Sequence, residues 1–591
     1  MLQVWLCNMD NKLKEILLNV DRPARYVGGE FNMPDMNKAC TERVCICFSD
    51  KYEIGMSNIG IRILYHMLND MENVVAERCF APDLDLAGKL KEHNMPLFSL
   101  ETKKPLKDFD LIGFSVQFEL QFTNIVYMLD LAGFPYFAKD RDESFPLLVA
   151  GGPCSVNPMP YAPFFDAILV GDGEENLYNL TKLHMELKDK HLTKLEFLKI
   201  ASEKFDGIYV PQLHNKTKRA VVKDLDKAYF PTKVLVPNCQ IVHDRATIEL
   251  FRGCANGCRF CQACFYYRPI RERKVDTLVE YAKELMDNTG YEELSLSSLS
   301  TSDYSELKEL VDRVKKETDE RKVKLAVPSL RLDSFEAEIY EELNGASLTF
   351  APEAGTQRLR NVINKNITEE DIERAFEGAM KNNVKNVKLY FMIGLPTETK
   401  EDLDGIASIA KLALLMHKKY GTSKIINITV STSVFIPKPL TPFQWEKQID
   451  IGEMLEKQKY LQEILRIKNV KYNWHGAESS VLEGVFARGD EKLAPAIVKA
   501  YEKGCVFDSW SENFDFNKWM EAFNECGIDT SYYTGAIEED RELPWDVIDN
   551  GVTKKYLLKE KHLAYEEKTT PNCLHNCNGC GANKLGRCFL K

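Results

Sequence analysis

From Arg43 to about Val210, short apolar runs alternate with stretches of helical period. "RVCICFSD", "VVAERCF", "FDLIGFSV", "PLLVAGGP" and "FDAILVGDGEE" read as strands, most of them closing on Gly, Ser, Asp or Pro. Between them "NIGIRILYHMLNDM" and "ELQFTNIVYMLDLAG" repeat their apolar positions every three to four residues. This alternation predicts an α/β fold built on an open parallel sheet, which binds ligands at the carboxyl ends of its strands. After the polar segment "LHNKTKRAVVKDLDKAYFPTK" a second series begins at "ATIELFRGC". It continues through "ELSLSSLS", "KVKLAVPSLR", "SLTFAPEAG", "NVKLYFMIGLP" and "IINITVSTSVFIPKP", separated by helical stretches such as "TLVEYAKELMDN" and "TEEDIERAFEGAMKN". Six such strands predict a partial (β/α)6 barrel with its chemistry at the carboxyl strand ends.

Beyond Lys471 the pattern turns helical and rich in aromatics, with Trp474, Trp510, Trp519 and Trp545, and closes on "CLHNCNGCGANKLGRC". The expected organisation is an extension over 1–40, an open-sheet domain over 41–212, a linker over 213–243, the barrel over 244–470, a helical region over 471–570 and a cysteine-rich tail over 571–591. A length of 591 residues suits several cores rather than one.

A net charge of −12 argues against a global nucleic-acid footprint. One basic segment, "YYRPIRERK", stands out with Arg268, Arg271, Arg273 and Lys274. It either faces an anionic or nucleic-acid substrate or lies on a solvated surface. Asp10, Lys12, Lys14 and Glu15 interrupt the start of the chain, and no run approaches the ~18 apolar residues of a membrane span. The expectation is a cytoplasmic protein with no membrane partner. In a reducing compartment, 17 cysteines are not a disulfide framework, so the clustered ones read as metal ligands. Scattered ones such as Cys45, Cys47, Cys79, Cys239, Cys505 and Cys526 read as small buried hydrophobes.

Cys254, Cys258, Cys261 and Cys264 follow the first strand of the second series, spaced C-x3-C-x2-C-x2-C. Three thiolates on a four-iron cubane leave one iron open for chemistry, whereas four close the site. The intervals differ from the bacterial ferredoxin run, and structural zinc usually joins two separated knuckles. Both closed sites remain alternatives to a three-ligand site beside which Cys264 is a non-ligand. Gly253 and Gly257 are expected to supply the positive φ that sharp turns around a cubane need.

The C-x3-C-x2-C spacing with Phe260 before the third cysteine resembles the signature of the radical S-adenosylmethionine (SAM) superfamily. The resemblance implies a 4Fe–4S cluster on Cys254, Cys258 and Cys261, with Phe260 beside the adenine of SAM. It implies SAM contacts from the other strand ends: Ser297, Ser329, Arg331, Glu353 and Gly394. It also implies a reducing partner such as flavodoxin or ferredoxin, and a SAM-derived 5′-deoxyadenosyl radical.

The first sheet resembles a Rossmann or flavodoxin-like cobalamin-binding domain. "DKYEIG" keeps the frame of a D-x-H-x-x-G motif, with Asp50, Tyr52 in the histidine's place, and Gly55. Ser115, the pair Gly151 and Gly152, and Gly173 and Glu174 of "GDGEE" match the later elements. A phenol with a pKa near ~10 is a poor cobalt ligand at neutral pH, so cobalamin would bind without a protein histidine below. Together with "RYVGGEFN", "GFSVQFELQFTN", "FAPEAGTQRLRNVINK" and "LPWDVIDNGV", these motifs resemble the uncharacterised family of radical SAM proteins with an amino-terminal B12-binding domain.

In the tail, Cys573, Cys577, Cys580 and Cys588, with His575 nearby, read as a second iron–sulfur cluster, as structural zinc, or as reduced thiols. The leading expectation for the whole chain is a cobalamin-dependent radical methyltransferase. The alternatives are a cobalamin-independent radical oxidation, rearrangement or sulfur insertion, and an electron-transfer protein without turnover. The substrate, whether small molecule, RNA or protein, is not legible.

Overall fold

The computed structural model describes residues 11–328, 347–421, 423 and 425–588. The first sheet contains β1 (Glu42–Phe48), β2 (Val74–Phe80), β3 (Leu111–Ser115), β4 (Leu147–Gly151), β5 (Ala167–Leu169) and β6 (Ile208–Tyr209), in the order 2-1-3-4-5-6. The first five are parallel and β6 runs antiparallel to β5. Cys45 and Cys47 face one core and Val44 and Ile46 the other, which is why β1 reads as a continuous apolar run. The order is flavodoxin-like. Its connections leave β1 and β3 on opposite faces and open a crevice at their carboxyl ends.

The second series forms two parallel sheets. β7 (Ala246–Glu249), β8 (Glu293–Ser297) and β9 (Lys324–Ala326) make one, in sequence order. β10 (Ser347–Glu353), β11 (Asn386–Ile393), β12 (Asn427–Val434) and β13 (Val470–Trp474) make the other. The six expected strands are present, and β13 adds a seventh from a stretch whose sequence reads as the start of the helical region. Its residues are partly exposed and carry little of the apolar alternation that marks the other strands.

The carboxyl-terminal helices Ala477–Ala487, Leu493–Glu502 and Phe516–Glu525 turn back onto the first domain and share its core. Phe486 lies between Phe122 of the first domain and Trp519, with ring centroids 5.2 and 5.1 Å apart. The Asp508 carboxylate fastens this layer, accepting from Thr123 Oγ1 at 2.6 Å and Trp519 Nε1 at 3.0 Å. At the other end of the chain, Glu30 is buried against Arg78 at 2.9 Å, so the amino-terminal segment belongs to the sheet's packing. No helix among the described residues is long and apolar enough to cross a membrane.

Candidate functional site

The carboxyl ends of the two parallel systems face one another across a cavity of about 450 Å³. One wall comes from the first sheet: Ser115, Gly151 and Gly152, then Gly173 and Glu174. The opposite wall comes from Glu249 to Gly253 (Leu250 excepted), from Tyr266 and Tyr267, and from Ser297 to Leu299. Gly152 has φ +101°, and a Cβ there would stand 2.7 Å from the Val116 carbonyl, so only glycine suits this corner. Ser115 Oγ accepts from Gln117 Nε2 at 2.6 Å, which fixes the hydroxyl at the mouth of β3.

Charge ties the walls together. Arg252, at the root of the cysteine loop, pairs with Glu174, with Glu249 at 2.7 Å and with Asp172 at 3.4 Å. Asp172 also receives Arg271. Burial works to raise the Asp172 pKa, but Arg271, Arg252 and Arg219 hold it down at about 2. The basic segment therefore corrects both sequence readings. Arg268, Arg271 and Arg273 are buried and only Lys274 is exposed: Arg271 pairs with Asp172 across the domains, Arg273 pairs with Glu249, and Arg268 donates to the Asn256 carbonyl.

The cysteine loop leaves β7 at the same end. Cys254, Cys258 and Cys264 are buried and Cys261 is half-buried. Gly253 takes φ +96°. Gly257 does not take a positive φ, contrary to expectation; its small size serves instead a close approach, since a Cβ would lie 3.1 Å from Asn364 Nδ2. The Cys264 thiol stands within hydrogen-bonding reach of Cys254, Cys258 and Cys261. That contact from Cys264, with Asn256 Nδ2 at 3.6 Å, draws the Cys254 pKa down to about 6, while Cys264 is pushed up. Phe260 packs between this cluster and Ala354, Met392 and Phe435.

Arg259, fully buried, locks the loop: it donates to the Val362 carbonyl at 2.9 Å and pairs with Glu560 at 3.2 Å. The loop offers an all-sulfur donor set, which suits a four-iron cubane. The loop fits that group.

The remaining expected SAM residues are divided. Ser297 lines the interdomain cavity. Glu353 ends β10 with φ +67°, a conformation that side-chain-bearing residues rarely keep without cause, and its carboxylate meets Lys365 Nζ at 3.3 Å. Gly394 follows β11, and its N–H is bonded to both oxygens of Glu398, each at 3.0 Å. Ser329 and Arg331 lie outside the described residues.

Asp50, Tyr52 and Gly55 do not line the cavity. Asp50 accepts from Trp510 Nε1 and Gln121 Nε2, both at 3.1 Å. Tyr52 is 1% exposed, donates to Glu30 at 3.1 Å and packs edge-on against Phe80. Gly55 lies against the same Phe80 ring. These three residues contribute to the sheet's packing beside the cavity. Sequence reasoning missed Arg252, Tyr266 and Tyr267, although all three flank the cysteine motif.

Residues 60–211 match the family described as radical SAM proteins, N-terminal, and residues 248–410 match the radical SAM superfamily. Over 501 residues the chain is 28% identical to the uncharacterized protein MJ0966 of Methanocaldococcus jannaschii, which takes in 82% of this chain and 98% of that one. Over 265 residues it is 23% identical to the anaerobic magnesium-protoporphyrin IX monomethyl ester cyclase of Cereibacter sphaeroides, covering 41% of this chain and 40% of the cyclase. Among solved structures, the radical S-adenosylmethionine methyltransferase TsrM from Kitasatospora setae, with cobalamin and a 4Fe–4S cluster bound, superposes with a TM-score of 0.45 and 14% identity. That superposition covers 66% of this chain and 75% of TsrM.

Proposed function

We propose that this chain, which belongs to the radical SAM superfamily, is a cobalamin-dependent enzyme that methylates an unactivated carbon of its substrate. The observation that carries the reading is a cavity lined by Ser115, Gly151 and Gly152 on one side and by the root of the cysteine loop on the other. Cys254, Cys258 and Cys261 would hold the 4Fe–4S cluster, with Phe260 against SAM. Bound there, the cluster supplies the electron that cleaves SAM, and cobalamin supplies a methyl group. Arg259 and Asn256 keep the loop in place through Glu560, Asp303 and backbone carbonyls. Arg252 holds the two walls together, and Tyr266 and Tyr267 keep water from the shared face.

A volume of about 450 Å³ suits a nucleotide-sized group and is smaller than a corrinoid. The crevice would therefore take the nucleotide tail, cradled where Gly152 leaves no room for a Cβ. With Tyr52 engaged by Glu30, no protein ligand would reach cobalt from the DKYEIG turn. The test is anaerobic incubation with SAM and a reductant, alongside purification with added cobalamin. Methionine, 5′-deoxyadenosine and a retained corrinoid spectrum are expected. An intact cluster with no SAM cleavage overturns the enzyme, and cleavage without corrinoid retention overturns the cobalamin dependence.

A further inference from the structure

The tail is fastened directly to the cysteine loop. Cys573 N–H donates to the Ala255 carbonyl at 2.9 Å, and Asn572 Nδ2 donates to Asn256 Oδ1 at 3.0 Å. Thr570 N–H meets Asn364 Oδ1 at 2.7 Å, while the other end of that Asn364 amide holds the Gly257 carbonyl at 3.0 Å. Cys580 packs against the same apolar cluster as Cys254, Cys258 and Cys264. Cys573, Cys577, Cys580 and Cys588 lie within electrostatic reach of one another, in the same C-x3-C-x2-C spacing followed by a fourth cysteine.

Between the two cysteine sets lies Arg268. Arg268 is 3% exposed, and its guanidinium donates one N–H to the Asn256 carbonyl at 3.1 Å, covers the Phe265 ring and meets the Tyr556 hydroxyl. No carboxylate pairs with it among the described residues; the groups that favour its charge are Cys573, Tyr556 and Cys580. A buried cation needs a compensating anion. Neutral thiols provide none, whereas metal-bound thiolates provide it on both sides.

We propose that Cys573, Cys577, Cys580 and Cys588 hold a second iron–sulfur centre, docked on the Cys254–Cys261 loop, with Arg268 as the counter-charge common to both. The proposal rests on the loop itself holding a cluster. Iron is favoured over zinc because the tail repeats the C-x3-C-x2-C spacing of the loop on which it is docked. Cys577 is exposed whereas Cys254 and Cys258 are buried. The tail is therefore the side on which a reduced ferredoxin- or flavodoxin-type protein would give up one electron to the pair.

The experiment compares the anaerobically reconstituted chain with two variants, Cys573→Ala/Cys577→Ala/Cys580→Ala and Cys254→Ala/Cys258→Ala/Cys261→Ala. Iron, zinc and the electron paramagnetic resonance of the reduced protein are measured in each. About eight irons are expected in the parent and about four in each variant. The parent spectrum should show coupling between two centres that each variant lacks. About four irons in the parent, unchanged by the tail variant, overturns the proposal, and so does one zinc that only the tail variant loses. An iron-free loop site with iron kept in the tail would instead remove the proposed function, so the two failures are distinguishable. Should the tail variant misfold, Arg268→Gln decides: the reduction potentials of both centres should fall together, and a shift confined to one overturns the shared counter-charge.

Discussion

Arg252 Nη1 donates to Glu174 Oε2 at 3.2 Å, joining the residue before the Gly253 turn to the first turn of the helix Gly173–Leu187. The same guanidinium serves Glu249 and Asp172, which Arg273 and Arg271 also reach. Arg252→Met leaves Glu174 uncompensated in a half-dry interface and should cost about 3 kcal/mol. Glu174→Gln should cost about 2 kcal/mol. The double variant should be no less stable than Arg252→Met, and additive losses in thermal unfolding would show that the pair does not act as a unit.

Asp172 sets an acid limit. Its folded pKa, about 2, lies below the ordinary 3.8, so the folded chain binds fewer protons than the unfolded chain between these values. The stabilisation is present above about pH 4 and is lost as pH falls through 2, to the order of about 2 kcal/mol. Urea unfolding of wild type and Asp172→Asn across pH 2–5 measures it. Wild type should lose its advantage over the variant in that window, and parallel curves would refute the assignment.

Asp508 has the opposite sign. Burial, outweighing the hydrogen bonds from Thr123 and Trp519, raises its pKa from 3.8 to about 6. The favourable, protonated contact is complete below about pH 4 and lost as pH rises through 6. At neutral pH the ionised carboxylate costs about 3 kcal/mol. Asp508→Asn, in which the Thr123 hydroxyl can turn to accept, should unfold at a higher temperature than wild type at pH 7 and no higher below pH 4. A lower midpoint at pH 7 would mean that the charge is needed.

Gly152→Ala must force a side chain into a left-handed corner against the Val116 carbonyl. Corrinoid retention should weaken by about tenfold or more. Tyr52→Phe should leave retention unchanged while removing the hydrogen bond to Glu30, at about 1–2 kcal/mol of stability. Spectroscopic titration with cobalamin separates the two, and loss of binding in Tyr52→Phe would restore the turn to the site.

Cys264→Ala should keep the loop's complement of about four irons and its SAM cleavage. Loss of those irons would make the motif a closed four-thiolate site. Slower reconstitution with full final iron is the expected kinetic trace, because the Cys264 hydrogen bond that favours the Cys254 thiolate is gone.

The strand pattern, the diglycine at the end of β4 and the cysteine spacing were legible because each is local. A two-residue period marks a strand and a glycine marks a tight corner. The open-sheet core and the strands of the second series follow from such signals. Tyr52 was less legible: its motif position reads as a strand end, while the partner that turns it inward is Glu30, 22 residues earlier. The arginines of "YYRPIRERK" misled in the same way, since charge in a sequence reads as surface until the buried acid that receives it is known.

The sequence by itself determined the ingredients: two C-x3-C-x2-C sets, two parallel β/α series and a glycine corner at β4. Only the tertiary structure decided that the carboxyl ends of both series share one cavity, that the carboxyl-terminal helices pack on the first sheet, and that Cys573 hydrogen-bonds to Ala255. The physical reason is range. Periodicity and turn chemistry act over a few residues, whereas a buried guanidinium must find its counter-charge in three dimensions. For Arg252, beyond its neighbour Glu249, that is Glu174 on a segment that nothing local connects to it.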